Sequence, residues 1–186
     1  MNFFQELTLA KQISFTQGDI SLLGNRVTIV HATFWAEYTL KINNDPKRVL
    51  ELYEISKSSF RDGMSKSIGK KYGLSFNDFF KWLTNIAMFA GWGKLTWLDL
   101  NEKNKNGVIS VENSPVVEIL KNKVNLPIDH LIRGFIAGGA SGWLNADIDA
   151  FESECAATGK NNCKFIFKPK GEFEINPETL RQLGIK

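Results

Sequence analysis

The stretch from Pro127 to Phe167, PIDHLIRGFIAGGASGWLNADIDAFESECAATGKNNCKFIF, decides how the rest of the chain is read. It holds both cysteines, Cys155 and Cys163, and one of the two histidines, His130. Its first half predicts a helix with Gly134, Gly138 and Gly142 at four-residue spacing. Such spacing makes one bare ridge along which another backbone can approach closely. Its second half predicts a hairpin: Ser153 to Thr158 as one arm, the polar turn Gly159 to Asn162, and Cys163 to Phe167 as the alternating return. A turn centred near Gly159 sets Cys155 opposite Cys163, with β-carbons about 4.5–5.5 Å apart. That separation suits two thiolates on one metal ion, two buried thiols or a disulfide. Zinc asks for four ligands, so the cysteines need help from Glu152 and from Asp129 or His130. On a regular strand Glu152 and Cys155, three residues apart, face opposite ways. Joint use requires a bulge or a helical turn between them.

Composition narrows the classes. The chain has 186 residues, enough for one domain with a proper core. A net charge of +3 is too small to argue for nucleic acid. The longest uncharged stretches, Leu83 to Gly93 and Phe135 to Ala146, fall well short of the roughly 20 apolar residues a membrane span requires. The start, MNFFQEL, lacks the order of a secretory signal, so a cytoplasmic protein with free or metal-bound cysteines is expected. With 14 Phe and 5 Trp, a bulky core or an apolar pocket is expected, with Phe89, Trp92, Phe135 and Trp143 as candidate wall residues.

Outward from the cysteine stretch, Leu7 to Phe15 reads as a strand, and Ile20 to Leu23 with Arg26 to Val30 as a short hairpin across Gly24-Asn25. Ala32 to Ile42 reads as a helix. Asp45-Pro46 opens another, with an apolar stripe of Val49, Leu52, Tyr53, Ile55, Ser56, Phe60 and Met64 running to about Ile68. Lys57, Arg61, Lys66 and Lys70 are assigned to its solvent side. Ser75 with Asp78 caps a helix from Phe76 to Ala90, stopped by Gly91-Trp92-Gly93. Lys94 to Leu100 and Val108 to Val111 form a hairpin across Asn104 to Gly107, with Leu95 and Leu98 inward. Ser114-Pro115 opens a short segment to Leu120, and Asn176-Pro177 a last helix to Leu183. Helices grouped between hairpins predict an α+β fold: a twisted antiparallel sheet with helices packed on it, in one domain over 1–186. Within it, 1–72 supplies N-terminal strands and helices, 73–168 the core with the cysteine hairpin, and 169–186 a tail with a short helix.

Nucleophile and phosphate motifs are missing. Gly138 to Gly142 lacks the ending of a phosphate loop, Ser141 has no GxSxG frame, and His31 stands alone.

From about Gly73 to Phe167 the sequence resembles the 4-vinyl reductase domain family, the predicted hydrocarbon-binding domains also found as sensor modules of phenol- and toluene-responsive activators. Gly134 and Gly138, Glu152 and Cys155, then Gly159, Cys163 and Phe165 carry the likeness, with Gly91-Trp92-Gly93 and the following hairpin upstream. The resemblance implies a structural zinc beside an apolar pocket, held by Glu152, Cys155 and Cys163. The family's leading Cys falls on Asp129, with His130 beside it. It further implies the fold of haem-dependent nitric-oxide sensor domains and of a vesicle-tethering subunit of Golgi transport, and a homodimer. The function it implies is a cytosolic binding domain for a small apolar or aromatic ligand, without haem, flavin or nicotinamide and without a nucleic-acid partner. Two other classes stand beside this. The family name points to an enzyme reducing a vinyl group of a tetrapyrrole, for which no hydride-cofactor fingerprint is present. A dimeric protein-interaction module without ligand is the other.

Overall fold

The structure is a computed structural model that describes residues 13–22, 24–62 and 73–184. The expected strand from Leu7, the end of the second strand at Leu23, and the helix beyond Asp62 with Met64, Lys66, Ile68 and Lys70 lie wholly or partly outside the described residues. By its contacts the chain forms two compact units, Met1–His31 and Ala32–Lys186.

The first unit is a three-stranded antiparallel meander of β1 (Ile13–Thr16), β2 (Asp19–Leu22) and β3 (Asn25–Val27). A two-residue turn carries Gly18 at φ +77°, and Arg26 Nη2 donates to the Gly18 carbonyl at 2.9 Å.

The second unit begins with α1 (Ala32–Ile42) and α2 (Pro46–Phe60). Asp45 ends one and opens the other: its carboxylate accepts from the backbone N–H of Lys47 and Arg48, which α2 would otherwise leave unpaired. α3 (Phe76–Phe89) starts where Ser75 Oγ accepts from Asp78 N and donates to the Asp78 carboxylate. β4 (Lys94–Asn101), β5 (Asn106–Glu112), α4 (Pro115–Leu120), α5 (His130–Leu144), β6 (Ile148–Glu154), β7 (Cys163–Pro169) and α6 (Pro177–Leu183) follow. The sheet is antiparallel throughout, in the order β4-β5-β7-β6. The α+β expectation is met. One core joins Phe79, Phe80 and Leu83 of α3, Ile109 and Val111 of β5, Phe165 and Phe167 of β7, and Phe135, Ile136 and Ala140 of α5. Among the described residues no helix is long and apolar enough to cross a membrane.

Several expectations are corrected. Leu98 does not point inward; it is 56% exposed, because the β4–β5 register slips by one residue between Trp97 and Asp99. Trp97 turns in instead, its Nε1–H donating to the Phe80 carbonyl and its ring meeting Phe80 and Phe167 edge-on. Ile55 is 60% exposed, whereas Lys57, assigned to solvent, is buried. The first arm of the cysteine hairpin is β6 rather than 153–158. Ala156–Thr158 coil into a 3₁₀ turn, closed by Thr158 Oγ1 donating to the Cys155 carbonyl.

The glycine ridge does what its spacing predicts. A β-carbon on Gly134 would collide with Ser56 and with the Tyr53 carbonyl, and one on Gly138 with the Lys57 carbonyl. α2 and α5 therefore touch backbone to backbone. At Gly139 the obstacle is only the end of the Leu83 side chain, 2.6 Å away. Alanine gains helix propensity of about 1 kcal/mol at either position. Gly138→Ala is expected to lower stability by about 2–3 kcal/mol net of that gain. Gly139→Ala, with a side-chain tip that can swing aside, should cost less than half as much. Urea unfolding midpoints of the two variants check the contrast.

Candidate metal centre

β6 would place Glu152 and Cys155 on opposite faces if it were regular. It is not: the register pairs Glu152 with Phe165 but Glu154 with Lys164, so Ser153 is an extra, bulged residue. Glu152 then faces inward with Phe165, Glu154 faces outward to pair with Lys164, and one step further Cys155 faces inward against Cys163. The carboxylate and sulfur atoms of Glu152, Cys155 and Cys163 lie within 4.8 Å of one another, and all three residues are buried. The cysteines are unbridged. The backbone N–H of Ala156 donates to Cys163 Sγ at 3.3 Å.

The two neighbours at the start of α5 part company. Asp129 lies beside the cluster: its N–H donates to Glu152 Oε2 at 2.9 Å, and its Oδ2 is buried with no hydrogen-bond partner. His130, buried as well, sets its Nε2 3.2 Å from the side-chain oxygen of Asn43, away from the sulfur atoms. It is not part of the group that Glu152, Cys155 and Cys163 form.

The electrostatics describe an acidic site short of a cation. Burial, then the charge of Cys155, holds the Glu152 carboxyl well above the usual carboxylate range. Burial, then Glu152, raises Asp129 to about 7. The hydrogen bond from Cys163 brings Cys155 down to about 7, and the same shared proton, with burial, holds Cys163 far above an ordinary thiol. Two thiols and two carboxyls packed this closely in a low dielectric cannot all ionise on their own. A divalent cation would let them do so. Glu152 Oε1, also buried without a partner, and Asp129 Oδ2 are the free oxygens it would need. The donor set therefore fits zinc, which takes Cys sulfur and carboxylate oxygen in fours.

Behind the cluster runs a buried polar network that sequence reasoning missed. Tyr53 OH donates to Asp149 Oδ1 at 2.8 Å, and Lys57 Nζ donates to Asp149 and Asp147 at 2.6 and 2.8 Å. Burial alone would lower the Lys57 pKa, but the two carboxylates outweigh it and raise it. Arg133, fully buried in the apolar middle of α5, lies 4.0 Å over the Tyr53 ring and donates to the Gln182 carbonyl. Burial brings its pKa down to about 10. Lys57 had a legible signal: it continues the 49–53–57 row of the helix stripe. Arg133 and Gln182 had none.

The network also closes the open edge of the sheet. β6 pairs on one side only, and the outward groups of alternate residues are met by side chains. Ser141 Oγ serves both N–H and C=O of Ile148, Tyr53 OH accepts from Ala150 N, and the Gln182 amide serves both groups of Glu152.

The four expected wall residues do not gather in one place. Phe135 and Trp92 meet with Phe60 between them, at centroid distances of 4.8 to 5.6 Å. Trp143 stacks on Phe79 at 4.5 Å, and Phe89 is 36% exposed. A shallow open depression lies nearby, lined by Met88, Gly91, Gly93, Lys94 and Asn113.

Residues 108–169, from β5 through β7, match the family model of the 4-vinyl reductase domain, which bears out the resemblance read from the sequence. Among solved structures, the chain is similar to the phenol-responsive sensory domain of the transcription activator PoxR with phenol. The two are 19% identical, with a TM-score of 0.74 and 94% of each chain covered. It is also similar to a vinyl-4-reductase family protein from Methanocaldococcus jannaschii, at 22% identity and TM-score 0.52, covering 77% of this chain and 83% of that one. A trafficking protein particle complex subunit 3 from Naegleria fowleri, covalently bound to palmitic acid, matches at 14% identity and TM-score 0.53, covering 77% and 95%. At these identities the likeness shows the fold. No curated protein matches the chain.

The raised carboxyls set a pH dependence. In metal-free protein the folded state holds the Asp129 proton up to about pH 7, while the unfolded chain releases it near the ordinary value of 3.8. Stability therefore falls as pH rises between those values, by up to about 4 kcal/mol from this one group, and levels off above. Glu152 acts in the same direction. Urea midpoints in a chelator between pH 4 and 8 are expected to show this decline, and Asp129→Asn to flatten it.

Proposed function

We propose, for a chain whose residues 108–169 carry the 4-vinyl reductase domain, that it is a small-molecule-binding domain whose cysteine hairpin is held by a structural zinc ion. The observation that carries the metal is the burial, within 4.8 Å, of one carboxylate and two thiols beside a second carboxylate with a free oxygen. Glu152, Cys155 and Cys163 would hold the ion. Asp129, rather than His130, would complete the set, because the histidine's Nε2 is committed to Asn43 and its pKa is lowered by burial and by the neighbouring arginines. The ion would supply charge neutralisation and a tie between the end of β6, the start of β7 and the start of α5. Two thiolates favour zinc over harder ions.

The ligand class is a small aromatic or hydrocarbon-like molecule. Support comes from the likeness over nearly the whole chain to a sensory domain described with phenol, and from the aromatic group of Phe60, Trp92 and Phe135 against α5.

Elemental mass spectrometry of protein purified without a histidine tag is expected to find about one zinc per chain. Cys163→Ser should lose it, Asp129→Asn should weaken it by about 10- to 100-fold, and His130→Gln should leave it in place. Metal-free wild type purified in the presence of zinc would sink the metal reading. Titration with phenol, followed by tryptophan fluorescence, should give a saturable change that Trp92→Ala abolishes. A linear, non-saturating response would remove the aromatic ligand.

A further inference from the structure

Gln182 is fully buried, and its amide makes four contacts. Oε1 accepts from Glu152 N at 2.9 Å and from Arg133 Nη1 at 3.2 Å; Nε2 donates to the Glu152 carbonyl at 3.0 Å and to Glu178 Oε1 at 2.8 Å. At Glu152 the amide does what the peptide group of a neighbouring strand would do. Glu152 is thus gripped from both ends. Its carboxylate belongs to the thiol cluster, with Oε2 held by Asp129 N, and its backbone belongs to α6. The preceding residue of α6 reaches the opposite flank of the cluster: Arg181 Nη2 donates to the carbonyl of Pro127, two residues before Asp129.

α6 is seven residues long and cannot be stable by itself, despite the capping box at Asn176 and Thr179. It depends on its docking. Leu183, buried, and Gly184, close against Leu50, supply the apolar part. Gln182 and Arg181 supply the polar part, and both of their targets flank the candidate metal ligands.

We infer that Gln182 is a positioning residue for the metal centre, and that α6 is the element whose docking follows metal occupancy. The inference rests on the metal reading proposed above. An ion that fixes the Glu152 carboxylate also fixes the Glu152 N–H and C=O at the spacing the Gln182 amide needs. With no ion, the crowded acidic groups are relieved by moving Glu152, whose neighbour Ser153 is an exposed bulge, and that movement breaks both bonds to Gln182. Coupling of this kind is reciprocal: the factor by which zinc tightens α6 equals the factor by which docked α6 tightens zinc.

Hydrogen exchange followed by mass spectrometry, on the full chain stripped with a chelator and then reloaded with zinc, tests this directly. Zinc affinity is measured in parallel by competition with a chromophoric chelator. Zinc is expected to slow exchange in 179–184 and 150–154 by about tenfold or more, and Gln182→Leu to lower zinc affinity by about 10- to 100-fold while abolishing the added protection of α6. Ile42→Val, which loosens the separate Ile42, Val49 and Leu52 cluster, controls for general destabilisation and should leave the affinity unchanged. If zinc binds one per chain but α6 exchange does not change, or if Gln182→Leu binds zinc as Ile42→Val does, this inference falls and the metal reading stands. If no zinc binds, both fall.

Discussion

One extra residue in β6 fixes what the site can be. A regular strand alternates faces, so a glutamate and a cysteine three positions apart would never meet on the buried side. The bulge at Ser153 resets the alternation, and Glu152, Cys155 and Cys163 become neighbours within 4.8 Å. The same residue lets Glu154 turn out to Lys164 and leaves the inward row Cys163, Phe165, Phe167 undisturbed on β7. The α5 glycines matter for the other wall. They let α2 come close enough for Tyr53 and Lys57 to reach β6 past the helix between them.

The consequence is an interior with an unusual polar load beside one strand. Asp149, Glu152, Asp129, Arg133 and Lys57 are all buried. On the Asp149 side the charges are answered within the chain by Lys57 and Tyr53. On the Glu152 side they are not: oxygens of Asp129 and Glu152 lack partners, and three acidic groups are pushed toward their protonated forms. Protein interiors rarely leave such groups unanswered, because each costs on the order of 1–3 kcal/mol and more if charged. That imbalance, more than the cysteine spacing, argues for a cation.

Much of the fold was legible because its ends are written in short-range chemistry. Asp45-Pro46, Ser75 with Asp78, and Asn176-Pro177 each cap a helix where the sequence placed it. The glycine row told of a close helix pair. Leu98 and Lys57 misled, for opposite reasons. A bulge is invisible to a count of alternating residues, so Leu98 looked inward. A lysine on a helix defaults to solvent unless the distant carboxylates that receive it are known. The three grouped ligand candidates could be named from one stretch, on the stated condition of a bulge. The choice between Asp129 and His130 could not, since it turns on Asn43, a long-range contact with no signature of its own.

The most direct measurement is X-ray absorption at the zinc edge on purified protein, which counts the atoms around the metal. The account predicts a four-coordinate ion with two sulfur neighbours at about 2.3 Å and two oxygen neighbours at about 2.0–2.2 Å. A shell without sulfur, or with imidazole as a ligand, would contradict it.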